Sequence, residues 1–470
     1  MKRLPAATVL KKSHILALGI LLCGIAGSVS AQGGPGEPPG APPDGMAGGP
    51  PPNDANGRPL RPDGTGGRPP GGGGARVAEK LSGVYTVNGT TETAVGQTIT
   101  SITNDVSAVY VLNGGNLLLS NVTVTTSGDT SSQDNSSFLG QNAGVLVTRN
   151  SRVTIFGGSI TTSGSGANGL FAYGSGAFAA MTGGSITATG DGGHGPMASG
   201  GGTLAITNVV ITTSQIHGGA VATDRGGGTL WVSGGTITTH GQDSPGIYST
   251  GDIRAENATF TATASEGAVI EGRNSIALNR CAMTGAVKCG VMIYQSFSGD
   301  AEGREGAFSM TGGSLAAAQG PLFFVNNTKG VIHLQGVKLF SASGVLVKAA
   351  ASRWGRNGAN GGAVVLTADH ETLAGNLMAD SISALTANFQ NHTTLTGAVQ
   401  NGALTLDASS AWNVTADSTL TSLGCADGEA GLARITGNGH SIHYQSALAA
   451  NQWLGGKTWK LAGGGTLSPE

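Results

Sequence analysis

Apolar residues along this chain alternate with polar ones in short bursts and do not recur at helical spacing. In "GGSITATG" (183–190) Ile186 stands between Ser185 and Thr187, and close variants return as "GGSITTSG" at 157–164 and "GGTITTHG" at 234–241. Period-two alternation over so few residues predicts half-buried strands, one face in and one face out. The apolar residue that closes each phrase is Ile160, Ile186, Ile211, Ile237, Phe260, Met283, Leu315 and Leu339, at steps of 26, 25, 26, 23, 23, 32 and 24 residues. A repeat in this range is the mark of a solenoid. No helical period of apolar residues fills the intervals, so parallel strands must be joined by a coil that returns to the same place each turn. The expected fold is all-β: a right-handed parallel β-helix with short loops, its hand set by the chain sterics of crossovers between parallel strands. A β-propeller needs blades of about 40–45 residues, which these steps do not fit.

In such a coil the aligned residues stack inside, glycine pairs such as Gly183–Gly184 take the corner torsions, and the threonines face outward. The pattern shifts near residue 365. Leu373 and Leu395 then occupy matching settings, "LAGNL" and "LTGAV", 22 residues apart, which predicts a continued coil with shorter rungs over 366–470. Trp453 and Trp459 near the end suit a C-terminal cap, needed because uncovered strands would pair with other chains.

The N-terminal flank reads differently. Basic "MKRLPAATVLKK", apolar "ILALGILLCGIAG" and small Val29 and Ala31 predict a signal peptide over 1–31, with an apolar run too short for a spanning helix. Residues 32–75 are rich in proline and glycine and almost free of apolar side chains, a disordered linker. The β-helix is then expected over 76–365, ahead of the shorter rungs. No later run of eighteen apolar residues exists, so the mature chain is expected to carry no transmembrane span. The expected location is secreted or at the cell surface, with the periplasm as the alternative.

Composition sharpens this picture. Glycine supplies 82 of 470 residues, and charged residues are 11 % beside 39 % hydrophobic, a balance unlike that of a polar disordered chain. Removing 1–31 takes away Lys2, Arg3, Lys11 and Lys12 and no carboxylate, so the net charge of −2 becomes −6. That argues against a nucleic-acid partner, which needs clustered cations. Cys281, Cys289 and Cys425 give neither a disulfide scaffold nor zinc spacing, and no metal or cofactor is expected. Cys281 and Cys289 flank the turn "AMTGAVK" and read either as a bridge or as two small buried thiols.

The segment "AWNVTADSTLTSL" (411–423) resembles the W-x-V-T-x-x-S-x-L-x-x-L phrase near the end of autotransporter passenger domains. The resemblance implies a secreted β-helix, often an adhesin. The 47 residues after Leu423 in this 470-residue chain are too few for the membrane barrel that follows such domains, so the expectation is a passenger-like fold without the barrel. The β-helix is also the fold of pectate lyases and polygalacturonases, which makes a polysaccharide-acting enzyme the alternative.

Candidate chemistry is thin. "GDGGHGP" (190–196) resembles one polygalacturonase motif, but the paired aspartates that would protonate a leaving group and activate water are missing around Asp191, so His194 reads as a turn residue. Asp224–Arg225 lacks a second carboxylate for calcium and reads as an exposed turn pair. "GSGANG" (164–169) matches G-x-G-x-x-G without a helix after it, a chance match. No catalytic residue is nominated. Two stretches break the repeat: "SGDAEGREG" (298–306), with Asp300, Glu302, Arg304 and Glu305, and "ASRWGRNGANGG" (351–362), with Trp354 between Arg353 and Arg356. Loops that leave a rigid solenoid usually carry its contacts. A tryptophan flanked by cations can stack on a sugar ring, although it can equally pack under its own loop. These seven residues are the candidate binding site. The expected function is an adhesin-like binding protein for a polysaccharide or cell-surface glycan, without catalysis; the alternative is a polysaccharide lyase or glycoside hydrolase of the same fold.

Overall fold

A computed structural model describes residues 80–296, 301 and 303–470. The expected signal peptide and linker, Asp300 and Glu302 lie outside them. The described chain winds as a parallel β-solenoid of about 15 turns. Each turn of its regular part carries three short strands, such as Leu170–Tyr173, Phe178–Thr182 and Ser185–Ala188. Each strand pairs in parallel with its counterpart one turn on: Leu170 with Pro196, Ala179 with Leu204, Ile186 with Ile211. The coil therefore presents three faces, here called first, second and third in the order the chain meets them.

The third face confirms the repeat. Its inward residues pair in an unbroken column from Ile99 and Val124 through Ile160, Ile186, Ile211 and Ile237 to Phe260, Met283, Leu315 and Leu339. A second column runs through Leu373, Leu395, Trp412 and Ile435. Trp412 is fully buried and donates its Nε1–H to Gly397 O at 2.9 Å. Removing each such side chain from water contributes about 1.5–3 kcal/mol.

The corner between second and third strands explains the recurring glycines. Its first residue has positive φ, as at Gly183 (68°), Asn208 (51°) and Gly234 (67°), a conformation open mainly to glycine and asparagine. At Gly184 an added Cβ would meet Gly158 O at 2.3 Å. Other turns instead place a buried apolar residue there, Val209, Ala258 or Cys281. Cys281, Cys289 and Cys425 are all free thiols, so the first two are buried fillers of the coil and not a bridge.

The expectation that the threonines face outward needs correction. Thr187 does, but the residue one pleat later faces in: Thr162 and Thr213 are fully buried. Their hydroxyls donate to Ala167 O at 2.7 Å and Gly218 O at 2.6 Å, satisfying carbonyls of the loop that starts the next turn. One short α-helix, Gln133–Leu139, interrupts the strand pattern, and two 3-10 helices, Gly428–Arg434 and Ala449–Leu454, follow near the C-terminus. Ser132 caps the α-helix by accepting from Asn135 N at 3.2 Å. It lies over the outer row of the first face, where Leu146, Phe171 and Met197 are buried, and Ser199 Oγ donates to Phe138 O at 2.7 Å.

The two ends are closed differently. In the first turn, Tyr85 and Glu92 pair with the inward-facing Val109 and Leu117, and Tyr85 donates to Glu92 Oε2 at 2.8 Å. An inward-pointing charged residue blunts an exposed edge. At the other end Trp453 and Trp459 pack on the core and donate to Leu423 O and Leu454 O at 2.9 and 3.2 Å. An antiparallel pair, Trp459–Lys460 with Thr466–Pro469, completes this cap.

Candidate functional site

The corner between first and second strands is normally tight, as at Gly200–Gly201. Two turns depart from it. One runs from Tyr294, the end of Val291–Tyr294, to Glu305, and the other from Ala349 to Ala363. The turn between them is short, from Asn326 to Lys329. Both nominated stretches therefore fall at the same corner, two turns apart, and the intervening asparagines tie Gln295 to Ala350 and Asn360. Asn327 Nδ2 donates to Gln295 O at 2.8 Å, and its backbone N–H to Asn360 O at 3.1 Å. Asn326 Nδ2 donates to Ala350 O and Asn360 O at 3.0 and 2.8 Å. Asn360, buried, donates to Trp354 O at 2.9 Å. Gly355 has φ 88°, and a Cβ there would meet the Asn327 side chain at 2.4 Å; the approach requires glycine.

Trp354 is half-buried. Its ring lies 5.6 Å from that of Tyr294 at 39°, and the Arg353 guanidinium sits 4.8 Å from its centroid. Arg356 and Arg304 are exposed. Glu305 is the first residue of a strand and not a loop tip, and it pairs with Lys329 at 2.8 Å. The Lys329 hydrogen bond holds its carboxyl below the usual carboxylate range.

Beneath Trp354 lies a group absent from the sequence reading. Glu271, 2 % exposed, accepts from Tyr248 Oη at 2.6 Å and Tyr294 Oη at 2.9 Å, and from Ser296 Oγ. Burial drives both phenols well above their ordinary range, and the Glu271 charge adds to it. Tyr294 thus joins a buried carboxylate to half-buried Trp354 and, through it, to exposed Arg353. Glu271 and Tyr294 hold the same register position on adjacent turns. Aligning "AVIEG" with "VMIYQ" by turn is the signal that would have found them.

The remaining motifs are structural. His194 is buried, its Nδ1 is 3.0 Å from Asn168 Oδ1, and burial pulls it down to about 4. "GSGANG" is followed by the strand Leu170–Tyr173. Asp224–Arg225 is half-buried and not exposed as expected: the Arg225 guanidinium lies 3.8 Å over the Phe138 ring. Among the described residues no three His, Cys, Asp or Glu side chains gather as metal ligands, and no helix is long and apolar enough to cross a membrane. No protein-family model matches the chain, and no curated protein sequence matches it.

Proposed function

We propose that this chain is an exported, passenger-like surface protein of the adhesin type, which binds a polysaccharide or cell-surface glycan through its paired loops without cleaving it. The carrying observation is a tie across three turns: Asn326, Asn327 and Asn360 join Gln295 to the loop of Trp354, whose ring is braced by Tyr294. A braced aromatic beside arginine loses little freedom on binding, and these residue types dominate recognition energy. The sugar would stack on Trp354, with Arg353, Arg356 and Arg304 hydrogen-bonding its hydroxyls.

Glu271 favours the second reading, polysaccharide cleavage, because a buried carboxylate hydrogen-bonded by two tyrosines is a grouping that catalysis can use. Here the tyrosines hold their protons at neutral pH and donate hydrogen bonds to Glu271, which suits bracing of Tyr294 better than proton abstraction. The test is glycan-panel binding by the purified chain beside Trp354→Ala. The variant should lose about 1–3 kcal/mol of affinity, by analogy with base stacking on aromatics, with little change in melting temperature. Unchanged binding overturns the loop assignment. Sugar release by the wild type that Glu271→Gln abolishes establishes the second reading instead.

A further inference from the structure

The outward side of the third face is built unlike the other two. One file of outward residues is a continuous ladder of threonines, one per turn, from Thr100 and Thr125 through Thr161, Thr187 and Thr212 to Thr284. A second file, two residues earlier on each strand, holds Thr98, Thr123, Ser159, Ser185, Thr236 and Thr259, with Val210 in its middle. All belong to one ten-stranded parallel sheet, whose pairings carry no bulge. No charged side chain occupies either file until Lys338 in its last strand.

β-Propensity alone favours threonine on any strand, but it does not explain this distribution. The matching outward row of the second face reads Thr154, Ala180, Ala205, Trp231, Arg254 and Ala277. The matching row of the first face is bulky and apolar, Leu146, Phe171 and Met197 lying under the helix and Tyr248, Met292 and Phe324 following beyond it. The second face pairs threonines only two at a time, Thr182 with Thr207 and Thr203 with Thr229, whereas the third face carries one through eight successive strands. Among the described residues, none of the ladder hydroxyls has a protein partner, whereas the inward threonines such as Thr162 and Thr213 are bonded to loop carbonyls. The outward array leaves its hydroxyls to the solvent.

We propose that this array is a binding face for crystalline water, an ice surface. Neighbouring turns are spaced about 4.8 Å apart, close to the oxygen repeat of hexagonal ice along its a axis, and the two files about 6.6 Å apart, so the hydroxyls form a regular two-dimensional grid. A lattice ligand needs an equally regular and stiff partner. Threonine is stiff at χ1, and it sets a methyl group beside a hydroxyl that can both donate and accept. Each hydroxyl–water contact exchanges one hydrogen bond for another and is worth little alone. The sum over the array holds the face to the crystal, and the absence of charge leaves no ion-centred hydration shell to break the lattice. The residues are distinct from those of the loops, so this inference does not rest on the glycan reading.

The test is ice recrystallisation and thermal hysteresis with the purified chain. The wild type should slow grain coarsening and shape growing crystals. Thr212→Tyr, placed in mid-array on an outward position, should abolish the effect at unchanged melting temperature, and Thr161→Lys should do so by charge. Trp231→Ala on the second face, and Trp354→Ala, should keep it. A wild type indistinguishable from an equal mass of serum albumin overturns the inference. So does retention of activity by both array variants, or mass spectrometry of exported protein that finds the ladder threonines covered by sugars.

Discussion

Glu371 is 1 % exposed, and its Oε1 accepts from Val337 N at 2.8 Å while Oε2 has no protein partner. Burial raises its carboxyl from 4.5 to about 7, and Asp369 adds to the shift against the Val337 hydrogen bond. The surrounding titratable groups are Asp369, His370 and His392, with His370 bonded to Asp369 at 2.6 Å and its ring 6.4 Å from that of His392. Because the folded carboxyl holds its proton more tightly than the unfolded one, stability is full below pH 4.5. It falls as pH rises toward 7 and levels above that, by about 3 kcal/mol in all. His194, with its lowered value, acts oppositely on the acid side. Glu371→Gln should therefore melt at nearly the same temperature as the wild type at pH 4.5 and higher than it at pH 8. Parallel curves across that range would overturn this account. None of this was legible in "HETLAG", because no local pattern tells a corner residue that points into the coil from one that points out.

At the scale of the strand, alternation carried most of the fold. Ile186 is fully buried and Thr187 is half-buried on the outer side. Ile186→Asp should be severely destabilising, since it puts an unpaired charge in the stack, while Thr187→Asp should shift the melting temperature only slightly; equal shifts would mean that the two sides of the pleat are exchanged. The same alternation assigns the last threonine of "ITT" to the interior, and polarity was the misleading cue there: Thr213 is buried because its hydroxyl closes on a carbonyl five residues on. Loop positions were legible as breaks in the period. The tie between their neighbouring turns was not, because it depends on Asn326, Asn327 and Asn360 meeting across turns, and the sequence steps contain no such cross-turn bonds. The short helix was hidden for a related reason, since its one buried aromatic, Phe138, has no periodic partner within seven residues.

For the whole molecule, a solenoid has no single core, so stability is a sum over turns and their contacts, and one poor turn can open while its neighbours stay closed. The turn spanning 337–379 collects several defects. The ten-stranded third face ends at Lys338–Ser341, and the next strand, Thr372–Ala374, belongs to a separate sheet. Pairing on the first face slips between Val345 and Val347. A small apolar void lies among Leu339, Leu346, Leu366 and Leu373, and lost contacts around a void go uncompensated. The partnerless Glu371 oxygen is in the same turn, and so is the Trp354 loop. The first face stays paired on both sides of its slip, Phe323 with Val347 and Val347 with Leu377, and the second face runs through without one, Ile332 pairing with Leu366, so the coil is weakened there and not divided. Amide exchange should accordingly be fastest, among interior strands, in 338–349 and 372–379, and slower in 202–239 and 384–406 on either side. Lowering the pH from 8 to 5 should slow exchange in that turn selectively, as Glu371 takes up its proton. Uniform protection along the coil, or a pH response spread evenly over it, would show that these defects do not combine into a weak turn.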